Sequence, residues 1–291
     1  MSEDIGRVPN AAVEAPASGA DAWLRLRGFT SARIGLSRSG ASLATQPLLD
    51  FRLAQARARD AVYDKLDDAR LSDEAGALVQ PVLVVNSAAN DRRTYLLRPD
   101  LGRRHSPDAA EVLARFAGTC DLAIVIADGL SARAVQSHAV PVLAAAVPAL
   151  RAEGWRLAPL VIVHRGRVAI GDAVSARLGA GAVAVLIGER PGLSSPDSLS
   201  AYLTWRPGSS TTDAERNCIS NIRPERIDYA EAAFKMVFLL REMRARGMSG
   251  VRLKDDSDQA ALARINPSSH STRDTAPERP AEPSGSAQQQ A

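Results

Sequence analysis

The sequence predicts an α/β fold, in which a Rossmann-like, mainly parallel sheet carries helices on both faces and follows a helical and irregular N-terminal part. One observation is a set of continuous apolar runs rich in Val, Ile and Leu, at residues 121–129, 159–164 and 183–187. Such runs are typical of strands buried on both faces. The other is that helical patterns alternate with these runs, at residues 108–117, 131–150, 172–178 and 234–243. This alternation favours a parallel sheet.

The N-terminal part begins with the pattern of an amphipathic helix over residues 45–66. Its apolar residues recur at helical spacing, with Arg and Asp between them: Leu48, Phe51, Ala54, Ala58, Val62 and Leu66. Residues 82–87 and 94–98 are predicted as strands, joined by a hairpin-like connection through residues 88–91.

Both ends of the chain have compositions that favour disorder. They are rich in small and polar residues with Pro and Gly, so they cannot bury enough apolar surface to offset the entropy of ordering. Four regions are therefore predicted: a disordered lead over 1–20, an N-terminal helical and irregular region over 21–105, a Rossmann-like domain over 106–255 and a disordered Pro/Ser/Gln-rich tail over 256–291.

Composition excludes several classes of function. The net charge of +3 comes from Arg scattered among Asp and Glu, which is unlike a nucleic-acid footprint, and aromatic residues make up only 4%. No apolar run approaches the roughly 20 residues of a membrane span. With two cysteines and no signal peptide, a reduced, cytoplasmic protein is expected. The four histidines are isolated, so no metal site is predicted.

Polar groups follow three of the predicted strands, at Asp128–Ser131, His164–Arg167 and Gly188–Gly192. The carboxyl ends of parallel strands are where α/β folds bind ligands. After the first strand, Asp128 either accepts hydrogen bonds from a ligand, or it or Ser131 caps the next helix while Gly129 makes the turn. No dinucleotide or phosphate-binding glycine motif is present.

The stretch after the third strand is the sharpest candidate. Glu189 and Arg190 point to opposite sides if the strand continues, so one of them faces the cleft. The alternative is a surface salt bridge. Ser195 is interpreted as a helix cap, with Pro196 at the first helical position. From composition alone, Cys218 is expected to be a buried structural thiol. No nucleophile, acid or base stands out as a constellation, so no catalytic residue is assigned.

The chain resembles the small (light) subunit of ethanolamine ammonia-lyase over roughly residues 45–250. The resemblance is carried by YLLRPDLGRR (95–104), IADGLSARAV (126–135), GRVAIGD (166–172), LIGERPGLSSPDSLSAYLTW (186–205) and ERNCISNIRP (215–224). The tail after about residue 255 departs from the family pattern, and the N-terminus matches weakly.

The resemblance implies a subunit of an adenosylcobalamin-dependent lyase that converts ethanolamine to acetaldehyde and ammonia. It implies a barrel-type large subunit that holds substrate, six copies of each subunit in the complex, a cobalamin between the subunits, and a place in the cytoplasm or within a bacterial microcompartment. Val168, Glu189 and Cys218 fall on the family's cofactor contacts. The absence of an Asp-x-His-x-x-Gly motif agrees with a cobalamin that keeps its own lower base. The alternative is a non-catalytic α/β binding or scaffold protein that has kept the fold.

Overall fold

The computed structural model describes residues 19–30 and 32–259. The predicted lead and tail fall largely outside these residues, and their disorder stays a prediction. The chain divides after Lys254 into two units, and the second contributes only residues 255–259 to the description. Among the described residues, no helix combines the length and the apolar character needed to cross a bilayer.

A six-stranded sheet organises the first unit. The strands of the chain are β1 (Arg38–Ser39), β2 (Ser42–Leu43), β3 (Val82–Asn86), β4 (Cys120–Ala127), β5 (Leu160–His164), β6 (Ala180–Gly188), β7 (Leu199–Trp205) and β8 (Asn217–Ile222). β1 and β2 form a separate ribbon, and the sheet has the order β3-β5-β4-β6-β7-β8. The first four of these are parallel, while β7 and β8 are antiparallel to their neighbours. The predicted α/β class with a mainly parallel sheet is confirmed.

Helices cover the two faces of the sheet unequally. They are α1 (Gly19–Arg27), α2 (Thr45–Tyr63), α3 (Asp68–Gly76), α4 (Arg92–Leu97), α5 (Pro107–Ala114), α6 (Ala132–Ala152), α7 (Ile170–Leu178) and α8 (Tyr229–Arg246). On the first face, α3, α6 and α8 build a core that extends to β7 and β8. On the second face, α5 and α7 build a smaller core over β3 to β6. The second face of β7 and β8 is left without a helix among the described residues.

The chain makes α4 where the sequence predicts a strand over 94–98. Asp91 starts this helix, because its carboxylate accepts hydrogen bonds from the backbone N–H of Thr94 at 2.9 Å and from the Thr94 hydroxyl at 2.7 Å. Tyr95 is then fully buried, and its hydroxyl donates to the carbonyl oxygen of Gly166 at 3.2 Å. The predicted hairpin is therefore wrong, and β3 instead pairs in parallel with β5.

A second correction concerns residues 189–198. The predicted helix capped by Ser195 is absent, because this segment forms a loop. The backbone N–H of Gly192 donates to the carbonyl oxygen of Ser195 at 2.9 Å, which closes a turn where the helix was expected. The chain then enters β7, an antiparallel strand that the sequence analysis did not predict.

One buried ion pair fastens α7 to the start of β8. The Arg216 guanidinium donates to both carboxylate oxygens of Asp172, at 2.7 and 2.6 Å, and to the hydroxyl of Thr204 at 3.2 Å. The Arg216 and Asp172 side chains are only 2% and 11% exposed. Burial lowers the pKa of Arg216, but hydrogen bonding and charge from Asp172 and Asp213 outweigh it and raise the pKa, so the guanidinium stays charged.

We expect Asp172→Ala to destabilise the fold by about 3–5 kcal/mol, because it leaves the Arg216 charge buried and unpaired. Urea unfolding and the melting temperature measure this loss. Glu74→Ala is the matched control, since it removes a carboxylate from the exposed Arg70–Glu74 pair and should change stability little. Equal losses for the two variants would show that the buried pair has no special role.

Candidate functional site

Four strands bring polar groups to one edge of the sheet. Ser87 and Asp128 follow β3 and β4, His164 ends β5, and Glu189 follows β6. These strands are parallel, so their carboxyl ends meet at this edge, as the sequence analysis expected. The edge also receives the start of β7 and the end of β8, because Leu199 pairs with both Gly188 and Ile222.

Two glycines hold the loops after β4 and β6 in direct contact. Gly129 has a φ of +56°, and a Cβ on it would overlap the carbonyl oxygen of Gly188. A Cβ on Gly188 would in turn overlap the carbonyl oxygen of Ser131. The backbone N–H of Leu130 donates to the Gly188 carbonyl oxygen at 3.0 Å. The point at which Glu189 leaves the sheet is therefore set by backbone contacts.

In the turn after β4, the structure shows which residue caps the next helix. The Ser131 hydroxyl accepts a hydrogen bond from the backbone N–H of Ala134 at 3.2 Å, so Ser131 caps α6. Asp128 is buried and accepts from the backbone N–H of Arg165 at 2.6 Å. Burial raises the pKa of Asp128, and the charges of Arg92, His164 and Arg165 act against that rise. Asp128 thus fixes the loop that leads towards Val168.

The Glu189 carboxylate is held from one side by its neighbours. Its Oε1 accepts hydrogen bonds from the Ser200 hydroxyl and from the backbone N–H of Asn221, the latter at 3.3 Å. The backbone N–H of Glu189 donates to the carbonyl oxygen of Ser198 at 2.9 Å. Glu189 is partly exposed, and no salt bridge involves it within the described part of the chain. The surface salt bridge considered for Glu189 is therefore not found there.

Cys218 lies beside Glu189 on the uncovered part of the sheet. It is directly opposite Tyr202 in the β7–β8 register and is exposed, so the interpretation as a buried thiol is wrong. Surrounding protein atoms desolvate the thiolate and raise the pKa of Cys218. The Glu189 charge adds to the rise, while hydrogen bonds from Tyr202 and Ser200 oppose it. The thiol is accordingly neutral at ordinary pH.

Val168 lies at the same edge of the sheet as Glu189, on the helix-covered side. It lies in the loop between β5 and α7, partly exposed, and packs against the second-face core that also contacts Tyr202. Its carbonyl oxygen accepts a hydrogen bond from the backbone N–H of Gly171 at 3.1 Å. Arg165, at the start of this loop, has a φ of +57° and is held by the bond to Asp128.

We call this surface the open face: the part of the second face of β7 and β8 that carries Tyr202 and Cys218, with Glu189 beside it and the buried Ser200 beneath. Val168 lies in the loop after β5, at the same edge of the sheet as Glu189. The open face combines one carboxylate with neutral hydroxyl, thiol and apolar groups. The structure thus brings Glu189 and Cys218 together, and it places Val168 in the loop after β5 at the same edge of the sheet. Among the described residues, no group of three His, Cys, Asp or Glu side chains is placed to hold a metal ion.

Ser200, Tyr202 and Asn221 were missed by the sequence analysis. Ser200 and Tyr202 had a detectable signal, because Leu199, Ala201 and Leu203 alternate with polar or amphipathic residues, which is the pattern of a half-buried strand. Asn221 had none, because its contribution is a backbone N–H in a residue with a φ of +59°.

These features define a Rossmann-like α/β protein with an open, mainly neutral face at the carboxyl edge of its sheet. A family model described as ethanolamine ammonia-lyase light chain (EutC) matches residues 20–254. The chain belongs to this family. The match begins well before residue 45, so the N-terminal region that resembled the family only weakly is also part of it.

Curated relatives agree with the family model over most of the chain. The ethanolamine ammonia-lyase small subunit of Xanthomonas campestris pv. campestris is 55% identical over 247 residues, or 83% of this chain and 90% of the relative. The small subunit of Azotobacter vinelandii is 52% identical, with 82% and 90% covered, and that of Pseudomonas aeruginosa is 49% identical, with 88% and 93% covered. The name "small subunit" implies that these proteins have a large-subunit partner.

The proximity of Glu189 and Cys218 makes opposite predictions for two variants. In a Cys120→Ser background, Glu189→Gln should lower the pKa of Cys218 by removing a negative charge, so that alkylation by iodoacetamide becomes faster at a fixed pH. Tyr202→Phe should raise this pKa by removing a stabilising hydrogen bond, so that alkylation becomes slower. The pH dependence of the alkylation rate measures both shifts. Two unchanged profiles would contradict the arrangement described for the open face.

Proposed function

We propose that this chain is the cofactor-contacting small subunit of an ethanolamine ammonia-lyase, and that Val168, Glu189 and Cys218 are its contacts to adenosylcobalamin. The enzyme converts ethanolamine to acetaldehyde and ammonia, and ethanolamine ammonia-lyases depend on adenosylcobalamin. The single observation that carries the assignment to this enzyme is the family match over residues 20–254. The geometry of the open face supports the assignment of the three residues.

The residues of the open face fit the chemistry of a corrin. This ring is a large, mainly apolar disc with neutral amide groups around its rim. Glu189 has one oxygen engaged by Ser200 and Asn221, so the carboxylate is already oriented and Oε2 remains to accept an amide N–H. The neutral Cys218 thiol and the Val168 side chain offer contact surface without charge. A surface of this kind suits a large ligand that is neutral at its rim.

The part of this chain in the reaction is to bind and orient. When bound, adenosylcobalamin supplies the homolytic chemistry, and the protein provides position and electrostatics. Glu189 fixes the rim through a charged hydrogen-bond acceptor, held by backbone contacts of the loops after β4 and β6. Cys218 and Tyr202, paired across β7 and β8, form a flat support beside it. No residue of the open face is assigned a catalytic role.

The wider assembly belongs to the same proposal. We propose a hetero-oligomer with six copies each of the small and the large subunit, with the cofactor between them. We also propose that the complex works in the cytoplasm, within a bacterial microcompartment. Both statements follow from the resemblance to the family, and the large-subunit partner follows from the names of the relatives.

We expect the isolated chain to produce no acetaldehyde from ethanolamine. Mixing it with the large subunit from the same organism and adenosylcobalamin should restore turnover, measured by coupled reduction of the aldehyde product. The large subunit with cofactor but without this chain is the control. Turnover by this chain alone, or no gain on mixing, would favour a scaffold or binding protein that has kept the fold.

Glu189→Ala should weaken cobalamin binding by about ten- to hundredfold in the assembled complex, because a charged acceptor bonded to an amide contributes about 1.5–3 kcal/mol. Glu189→Gln keeps the shape and one acceptor, so it should cost less. Spectroscopic titration of the cofactor measures the affinity, and the melting temperature controls for folding. Glu111→Ala is the matched control, because it removes an exposed carboxylate of α5. An unchanged affinity in Glu189→Ala would show that Glu189 is no cofactor contact.

A further inference from the structure

Exposed apolar side chains are concentrated in the N-terminal part of the described chain. We call residues 19–63 the arm; it contains α1, the β1–β2 ribbon and α2. Eight of the fourteen large apolar residues that are exposed in the described structure lie in the arm: Trp23, Leu24, Leu26, Phe29, Leu43, Leu49, Leu53 and Tyr63. The arm is less than a fifth of the described residues, so this distribution differs from the isolated exposed apolar residues that protein surfaces normally carry.

Helix α2 shows most clearly that part of the apolar surface of the arm is left uncovered within the described chain. It is 19 residues long, and Ala61 is its single buried residue. Leu49 and Leu53 are four residues apart and therefore lie on one face of the helix, where they are 52% and 51% exposed. A helix of this length is stabilised in proteins mainly by packing of an apolar face. In α2 that face is half-buried, at Leu48, Phe51 and Val62, so Leu49 and Leu53 form an additional apolar strip that is left exposed.

Specific contacts hold Arg33 of the arm, and the segment that immediately follows the arm, against the body. The Arg133 guanidinium forms an ion pair with Asp64, just after α2, at 2.8 Å, and the backbone N–H of Asp67 donates to the Gln136 side chain at 2.5 Å. Further along the arm, the Arg33 guanidinium donates to the carbonyl oxygen of Leu193 at 3.3 Å. Leu193 is exposed and lies in the loop that follows Glu189. The arm therefore contacts the loop that follows Glu189, beside the open face.

The charged residues of the arm have one dominant sign. Residues 19–63 contain seven Arg and three Asp, with no Lys and no Glu. Apolar and aromatic side chains together with Arg, and without Lys and Glu, are the composition typical of protein–protein interfaces. The excess of positive charge suits a partner surface that is apolar with acidic groups around it. A second copy of this chain suits it poorly, because a two-fold contact would bring the same arginines against each other.

We propose that the arm is a docking surface for the large subunit, and that it anchors this chain independently of the cofactor. This inference rests on the proposed function, which supplies the partner. Because Arg33 joins the arm to the loop after Glu189, a large subunit seated on the arm reaches the border of the open face. The arm thus contributes association energy, while the open face contributes cofactor contacts.

The experiment compares two double variants of the full chain. Leu49→Ser with Leu53→Ser removes apolar contact from the exposed face of α2. Phe116→Ser with Val251→Ser is the matched control, because both residues are exposed but lie outside the arm, near the opposite edge of the sheet. Binding to the large subunit from the same organism is measured by titration with and without adenosylcobalamin. Turnover is measured at saturating small subunit, and the size of each variant alone by sedimentation.

We expect the α2 variant to weaken subunit association by about tenfold or more, with and without cofactor, and to keep near-parental turnover at saturation. The control variant should associate like the parent. Glu189→Ala should show the reverse pattern, with weaker cofactor binding and unchanged association. If the α2 variant associates with the large subunit as the parent does, the inference is overturned and the proposed function stays intact. The same holds if the parent alone is a dimer and the α2 variant alone is a monomer, because the arm would then join two copies of this chain. If the parent does not bind the large subunit at all, the proposed function fails first and the inference with it.

Discussion

The buried pair between Arg216 and Asp172 joins two parts of the fold that would otherwise be only loosely related. Asp172 lies in the first turn of α7, shortly after the loop that carries Val168, and Arg216 immediately precedes the strand that carries Cys218. Both carboxylate oxygens are engaged by the guanidinium, and Thr204 of β7 accepts a further bond. A bidentate pair shielded from water fixes orientation as well as distance. The position of the start of β8 relative to α7 therefore depends on this contact.

The unequal cover of the sheet explains why a binding face exists at all. The first-face core runs under all of β4 to β8, so the antiparallel strands have a stable foundation. The second-face helices stop at β6, which leaves Tyr202 and Cys218 without a helix above them. An extra pair of strands supported on one face is thus available for a ligand or a partner on the other, and the parallel part of the sheet keeps its buried strands.

The fold was predictable where the pattern of the sequence was strong. The apolar runs at 121–129, 159–164 and 183–187 correspond to β4, β5 and β6. They were recognisable because a strand that is buried on both faces consists almost entirely of apolar residues. Residues 94–98 were assigned to the wrong element, since Tyr and Leu are common in strands and the capping by Asp91 was overlooked. The strand β7 was missed because Ser195 and Pro196 were interpreted as the start of a helix, and β8 was not assigned to any element.

The candidate site was only partly predictable. The position of Glu189 after a buried strand marked it from pattern alone, whereas Val168 and Cys218 were singled out by the family resemblance. Their arrangement depends on contacts between residues far apart in the chain, such as Asn221 with Glu189, and on the buried bond from Arg165 to Asp128. Side-chain spacing along the sequence carries no record of such contacts. Cys218 illustrates this limit, because its exposure follows from the missing helix and not from its neighbours in sequence.

The neutral state of Cys218 also bears on the chemical durability of the subunit. Peroxides and disulfides react with thiolates, and the fraction of thiolate falls as the pKa of a cysteine rises. Cys218 is exposed in the free chain, yet desolvation and the Glu189 carboxylate keep its proton in place. We therefore expect the sulfur to form sulfenic acid more slowly than an ordinary exposed cysteine. The carboxylate that we propose as a cofactor contact thus also disfavours oxidation of the neighbouring thiol in the free chain.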